Sequence, residues 1–279
     1  MLNLFHTQNG YAKNTCEYQT LAIAVRNDGF SFVIRTQNAV AALRYTSIFA
    51  INNAEYEQAL REFLRHDLLQ QSFAKISVLY CNQAVSVVPK EFYSPENAQE
   101  IFTLTQPCAE NETVESYHCK NSDTIILYTL PHNIVRICNE ELKAQCRFFP
   151  QIVPFIEKSF AGNSAANVKT LYISLESYYF DVVVVNDGKL EFFNNFSFKN
   201  VNDFVYSTLN VCKQLQLNPQ TTNIVLSGKI SEKSNYCKAL QMFAPHAHVE
   251  NPENCACEFP FNPILYSVFS NLISTDLCE

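Results

Sequence analysis

Glycine is scarce in this sequence. Only five glycines occur in 279 residues, at positions 10, 29, 162, 188 and 228. Glycine-rich loops let backbone amides approach phosphates, and the patterns G-x-G-x-x-G and G-x-x-x-x-G-K both need glycines much closer together than these. The spacing therefore excludes both phosphate-binding motifs.

Charged residues are also few. They make up 17% of the chain, below the roughly 25% that is usual for soluble domains. The 20 Lys and Arg against 27 Asp and Glu leave a net charge of −7. No cluster of four basic residues is present to neutralise phosphates, so we expect no nucleic-acid partner. Since 47% of the residues are apolar, large faces must be buried between elements or against partners.

Long apolar runs are missing too. None approaches the ~18 residues of a membrane-spanning helix, and the start, residues 1–6, has neither the basic nor the apolar region of a signal peptide. We expect a cytoplasmic protein with no membrane insertion. The 11 cysteines are an odd number, so free and mostly buried thiols fit better than a disulfide framework.

Each half of the chain opens with three predicted strands that alternate or run apolar and are separated by short turns. A shift of 150 residues lays the first set on the second, strand on strand and turn on turn. Residues 27–29 and 37–38 are the turns of the first set, and Asn186-Asp187-Gly188 is a clear hairpin turn in the second. The strands are 20–25, 30–35 and 40–48 in the first set and 170–175, 180–185 and 190–198 in the second.

Helices and single strands follow each set, and Asn52 and Asn200 are predicted helix caps. The acidic stretch 96–123, with six acids and one lysine, is interpreted as a solvated face or loop. Segment 148–160, interrupted by two prolines, leads to a boundary that divides the chain into lobes 1–161 and 162–279. Helices are predicted at 53–70, 95–104, 131–145, 201–215, 231–243 and from 262, and strands at 76–80, 84–88, 124–130, 223–226 and 248–249.

This repeated β-β-β-α-β-α-β-α order resembles the actin-like ATPase fold of actin, sugar kinases, the seventy-kilodalton chaperones and pilus-assembly scaffolds. More specifically, Leu-Ala-Ile-Ala-Val at 21–25, Asp-Gly-Phe-Ser-Phe at 28–32 and Ile-Val-Leu-Ser-Gly at 224–228 resemble an uncharacterised bacterial family of that fold. The resemblance implies an α/β protein with a duplicated actin-like fold. Two βββαβαβα lobes, each with a mixed five-stranded sheet, would flank a central cleft.

The resemblance also implies where a nucleotide would bind. In active members a strand-end acid and a glycine-rich turn in each half serve magnesium and the phosphates, and a glycine pair lies along the adenosine. Here the strand ends carry Ala24 and Ser174, the second turn has no glycine, and Lys229 replaces one glycine of the pair. The cleft candidates are Asp28, Gly29, Ser31, Ser174, Glu176, Ser177, Gly228 and Lys229. Asp28-Gly29 also fits an ordinary hairpin turn.

Five residues near the end of the chain include soft ligands suited to zinc, but they are badly spaced. Zinc sites prefer C-x2-C and H-x3-H pairs, whereas these pairs have a single residue between them. We expect no metal there, only ordinary thiols and exposed histidines. The residues are Cys237, His246, His248, Cys255 and Cys257.

Two further patterns are interpreted structurally. Cys81 follows a strand and would be a nucleophile only beside a histidine, and no G-x-S-x-G elbow is present. An aromatic set could stack on bases, but without basic neighbours it is expected to pack between sheet and helices. The set is Tyr178, Tyr179, Phe180, Phe192, Phe193, Phe196 and Phe198.

The loss of metal ligands from both halves favours a catalytically silent actin-like scaffold or regulatory binding module with a protein partner and no cofactor. The alternative is a nucleotide-binding switch or ATPase that binds ATP through an altered phosphate cleft. A membrane-peripheral pilus or division partner would need a basic amphipathic segment, and none is evident.

Overall fold

The computed structural model describes residues 3–7, 19–37, 39–120, 122–162, 169–252 and 257–278. The strands are β1 (Asn3–Thr7), β2 (Thr20–Arg26), β3 (Gly29–Arg35), β4 (Val40–Ser47), β5 (Lys75–Tyr80), β6 (Val85–Pro89), β7 (Glu112–His118), β8 (Thr124–Pro131), β9 (Arg147–Pro150), β10 (Thr170–Leu175), β11 (Tyr179–Asn186), β12 (Lys189–Ser197), β13 (Asn223–Gly228) and β14 (Ala247–Val249). The α-helices are α1 (Asn53–Leu64), α2 (Ala98–Thr105), α3 (His132–Leu142), α4 (Ile152–Gly162), α5 (Val201–Gln214), α6 (Asn235–Gln241) and α7 (Tyr266–Ile273).

Two mixed sheets have the same strand order apart from the additional edge strand β1. The first runs β1-β4-β3-β2-β5-β9 and the second β12-β11-β10-β13-β14. In each, the three opening strands are antiparallel, and the later strands add in parallel beside the first of them. Both predicted meanders are therefore present, and the second sheet has the expected five strands.

The first sheet has six strands rather than the predicted five. The additional strand is β1, which pairs antiparallel with β4 at the edge. Five residues give too short an alternation to stand out in the sequence, so this strand was missed.

A third sheet was not predicted. It has the order β6-β8-β7 and is inserted between β5 and α3. The predicted strand 124–130 is β8 of this sheet, whereas the parallel edge strand of the first sheet is β9, which was not predicted. β8 is buried along its length because one face packs on Phe102 of α2 and the other on the central core.

The acidic stretch 96–123 is not a loop throughout. It contains most of a 3-10 turn at Pro95–Asn97, then α2, and then β7, an edge strand whose side chains are exposed or half-buried. An edge strand tolerates acidic side chains because one side of it faces solvent, which also discourages pairing with other chains.

The proline-containing segment 148–160 forms β9 and α4. Pro150 ends β9, which lies at the sheet edge, where a residue without an N–H is tolerated. Pro154 lies in the first turn of α4, where its missing N–H breaks no helical hydrogen bond. The two prolines therefore lie at the end of a strand and in the first turn of a helix, and not in a linker.

Both predicted cap residues lie at helix starts. The side-chain oxygen of Asn52 accepts from Glu55 N at 3.0 Å, and that of Asn200 accepts from Asn202 N at 2.9 Å. Both caps are thus confirmed. Several predicted helices are shorter than expected: α1 ends at Leu64, α3 spans His132–Leu142, α6 spans Asn235–Gln241, and α7 begins only at Tyr266 after a 3-10 turn.

Three layers of buried apolar side chains pack against the two larger sheets. α1 and α3 cover the outer face of the first sheet, and α5 and α6 cover that of the second. α4 packs against β11, and α7 packs against β2, β3 and β13, so residues from both ends of the chain share the central core. This arrangement brings the carboxyl ends of β2 and β10 together.

Candidate functional site

The hairpins that follow β2 and β10 meet through a buried ion pair. Arg26 is the last residue of β2, and Glu176 follows β10 directly. Arg26 Nε lies 3.3 Å from Glu176 Oε2, and the two side chains are 7% and 6% exposed. The residues are 150 positions apart, so they occupy equivalent places in the two meanders.

Further donors surround this pair. Gln151 Nε2 donates to Glu176 Oε1 at 2.6 Å, and Lys229 Nζ lies 3.6 Å from Glu176 Oε2. Arg26 Nη1 donates to Ser31 Oγ at 2.7 Å. Buried charges are tolerated only when their remaining hydrogen-bonding capacity is used, and these contacts meet that condition.

Asp28, in the turn of the first hairpin, binds the second half of the chain. Lys229 Nζ lies 2.6 Å from Asp28 Oδ2, and Ser177 Oγ donates to the same oxygen. Lys229 Nζ also donates to Ser177 Oγ at 2.9 Å and lies 5.5 Å from the centre of the Tyr45 ring. We call Arg26, Asp28, Glu176, Ser177 and Lys229 the interhairpin network.

The network balances two cations with two carboxylates. Burial lowers the pKa of Arg26 and of Lys229, but the Glu176 carboxylate, together with smaller contributions that include Asp28, raises the pKa of both above its ordinary value. Burial would raise the pKa of Asp28, but hydrogen bonds from Lys229 and Ser177 lower it. Arg26, Lys229 and Asp28 are thus charged at neutral pH, and each has its counter-charge within the network.

Gly228 sets the path of the chain into Lys229. Its φ is +82°, and a Cβ atom there would lie 2.2 Å from the carbonyl oxygen of Leu175. Lys229 N donates to that oxygen at 2.6 Å. Gly29 is similarly constrained, because its Cβ would lie 2.5 Å from Thr46 O. Close backbone packing within the protein therefore accounts for both glycines.

Ser174 lies apart from the network. It is fully buried in β10, and its Oγ accepts from Asn271 Nδ2 at 3.3 Å. Its neighbour across the β10–β11 ladder is Asp181, whose pKa is raised well above its ordinary value by burial and then by Glu176. Because a cation-binding carboxylate must be ionised, this shift works against a metal at Asp181.

A family model described as a protein of unknown function (DUF3822) matches residues 8–247. The chain belongs to the DUF3822 family. No curated protein matches it.

Solved structures that resemble this DUF3822 chain in fold include two that cover more than nine-tenths of it. One is a Bacteroides thetaiotaomicron protein with an actin-like ATPase fold and unknown function, with a TM-score of 0.79, 22% identity, and coverage of 95% of this chain and 98% of that one. The other is a PilM–PilN type IV pilus biogenesis complex, with a TM-score of 0.61, 13% identity, and coverage of 93% and 98%. The predicted actin-like ATPase fold is confirmed.

Five of the predicted cleft residues lie together at the junction of the two hairpins: Asp28, Ser31, Glu176, Ser177 and Lys229. Gly29 and Gly228 act through their backbones, and Ser174 stands separately.

Two central residues of the DUF3822 site were missed. Arg26 could have been found, since the 150-residue shift pairs it with Glu176 and places opposite charges at equivalent positions. Gln151 gave no signal, because it follows β9, which was itself missed.

Cys81 contacts the site but does not provide a nucleophile. Its Sγ donates to Gln151 Oε1 at 2.7 Å, and burial raises its pKa to about 12. A thiol that stays protonated is a poor nucleophile. All nine cysteines in the described ranges are free, and eight of them are buried.

The other sequence patterns have structural explanations where they can be examined. The described ranges hold no group of three or more residues able to bind a metal ion; Cys237 is buried in α6, and Cys255 lies outside those ranges. Phe180 stacks on Phe196 with centroids 5.5 Å apart inside the second-half core, so core packing of the aromatic set is confirmed there. Tyr178, which is 70% exposed, is an exception. Within the described ranges, none of the helices combines the length and the apolar composition that a membrane-spanning helix needs.

Proposed function

We propose that this chain is a catalytically silent actin-like scaffold or regulatory binding module that acts on a protein partner in the cytoplasm. The interhairpin network carries the proposal. The two hairpins that would contact phosphate in active members of the fold instead bind each other, and their charges are matched.

Electrostatics supports the absence of nucleotide chemistry. Phosphates entering between the hairpins would have to separate Lys229 from Asp28 and would then face the carboxylates of Asp28 and Glu176. Phosphoryl transfer depends on metal ions held by carboxylates, and the strand-end positions carry Ala24 and Ser174. The site thus offers a polyphosphate neither an uncommitted cation nor a metal ligand at those positions.

An exposed apolar rim next to the network supports partner binding. It comprises Phe49, Ile51 and Tyr178, which are 87%, 81% and 70% exposed. Ile48 N donates to Asp28 O at 3.1 Å, and Ser177 bonds to the Asp28 side chain, so both parts of the rim adjoin Asp28. Exposed apolar groups near one another are typical of protein-binding surfaces. PilM, which shares the fold, is in complex with a protein, PilN.

Replacing Phe49 and Ile51 together with serine tests the rim. We expect affinity purification from native lysate to recover one recurrent protein with the wild type and about tenfold less of it with the double variant, because buried anchors dominate such interfaces. Met242→Ser, at a side chain 78% exposed beyond α6, is the matched control. Full recovery with the double variant, equal loss with the control, or no recurrent protein would contradict the proposal.

One observation favours the alternative, a nucleotide-binding switch. Lys229 and Asp28 are 22% and 26% exposed, so their ion pair is more accessible than that of Arg26 and Glu176. In a switch, Lys229 would leave Asp28 for a phosphate. Calorimetry with Mg-ATP separates the two functions.

We also propose that 1–161 and 162–279 are two lobes that arose by duplication. The common strand order of the two sheets and the 150-residue shift between the meanders support this division.

A further inference from the structure

A cavity of about 760 Å³ opens on the outer face of the first sheet, and none of the five residues of the interhairpin network lines it. It lies between β1 and β4 on one side and the C-terminal half of α1 on the other. Phe5, Arg44 and Thr46 form its floor, and Phe63 and His66 line the side toward α1. The volume is within the range of about 300–1,000 Å³ typical of small-molecule sites.

The second half of the chain shows how the same place can be filled. Phe30 faces Thr46 across β3–β4, and at the equivalent position Phe180 faces Phe196 across β11–β12. The phenylalanine pair stacks in the core. The smaller Thr46 leaves this volume open in the first half.

Arg44 supplies a positive charge to the floor. Its Nε donates to Thr46 Oγ1 at 3.1 Å, and within the described ranges no carboxylate forms an ion pair with it. Arg65, on the rim, is instead held by Glu141 at 2.8 Å. A half-buried guanidinium without a counter-ion is an attractive partner for an anion, since its hydration is already reduced.

We propose that this cavity binds a singly charged anion attached to an aromatic or acyl body. The anionic group pairs with Arg44, and the apolar body lies against Phe5, Phe63 and the half-buried Ile48. The carboxylates of Glu62 and Asp67, at the mouth, select against a second negative charge.

Two fluorescent probes that share one ring system test the proposal on the full chain. They are the anionic 8-anilinonaphthalene-1-sulfonate and the uncharged N-phenyl-1-naphthylamine. We expect one saturable site per chain for the anion and a loss of about tenfold or more in its affinity with Arg44→Gln, because a hydrogen-bonded charge contact is removed. The neutral probe should be affected little. Thr46→Phe, which copies the second half, should abolish binding of both.

Arg136→Gln is the control, since Arg136 is exposed on α3 and pairs with Glu140. Circular dichroism of each variant verifies folding, and Arg44→Gln decides the matter should Thr46→Phe fail to fold. Equal loss with Arg136→Gln, unchanged anion affinity with Arg44→Gln, or binding that does not saturate at one site overturns the proposal.

Discussion

Replacing Arg26 with methionine is expected to lower the free energy of unfolding by about 3–5 kcal/mol, because removing one partner leaves the other as an unpaired buried charge. Glu176 is 6% exposed and cannot recover hydration in place of the lost guanidinium. Gln151 and Lys229 still contact it, which places the loss toward the lower end of that range. Denaturant unfolding followed by circular dichroism measures the effect.

A second substitution separates an unpaired charge from lost packing. Glu176→Met in the Arg26→Met background removes both charges and should restore most of the stability, since apolar replacement of a buried pair is often neutral. Arg136→Met, which breaks the exposed pair with Glu140, should change stability little. If Arg26→Met costs no more than Arg136→Met, the buried pair does not stabilise the junction of the hairpins.

Replacing Gly228 with alanine should destabilise the chain by about 3 kcal/mol or more. A positive φ strains any residue with a Cβ by about 1–2 kcal/mol. At Gly228 that atom would also lie 2.2 Å from Leu175 O and 2.8 Å from Leu175 N, and this backbone belongs to a central strand. Relief of the clash would move Lys229 away from Asp28.

Gly188 provides the matched control. Its φ is +70°, but nothing lies within 4 Å of the Cβ position. Gly188→Ala should therefore cost only the strain, about 1–2 kcal/mol. Thermal unfolding of both variants compares the effects, and losses of equal size would show that the close approach to Leu175 does not constrain the fold.

The parts of the fold that could be predicted were those determined by neighbouring residues. Strand alternation located both meanders, and the turn before Lys189 needs positive φ at Asp187 and Gly188, which their residue types permit. The capping side chains of Asn52 and Asn200 act within three residues, so they too are visible in the sequence.

The parts that could not be predicted depend on tertiary pairing. The apolar run at 124–130 shows that a strand is buried on both faces but not which sheet holds it, and β8 belongs to the inserted sheet. At the site, the resemblance directed attention to Asp28 and Lys229. Their pairing with each other, and that of Arg26 with Glu176, follows only from how the two hairpins meet.

Isothermal titration calorimetry with Mg-ATP tests the central claim most directly. The network predicts no saturable heat at nucleotide concentrations up to about millimolar, because Arg26 and Lys229 are already paired and two carboxylates would face the phosphates. A phosphate-release assay on the same sample should remain at background. Micromolar affinity for Mg-ATP, or turnover that Asp28→Ala abolishes, would contradict the silent-scaffold account and establish a nucleotide-dependent protein.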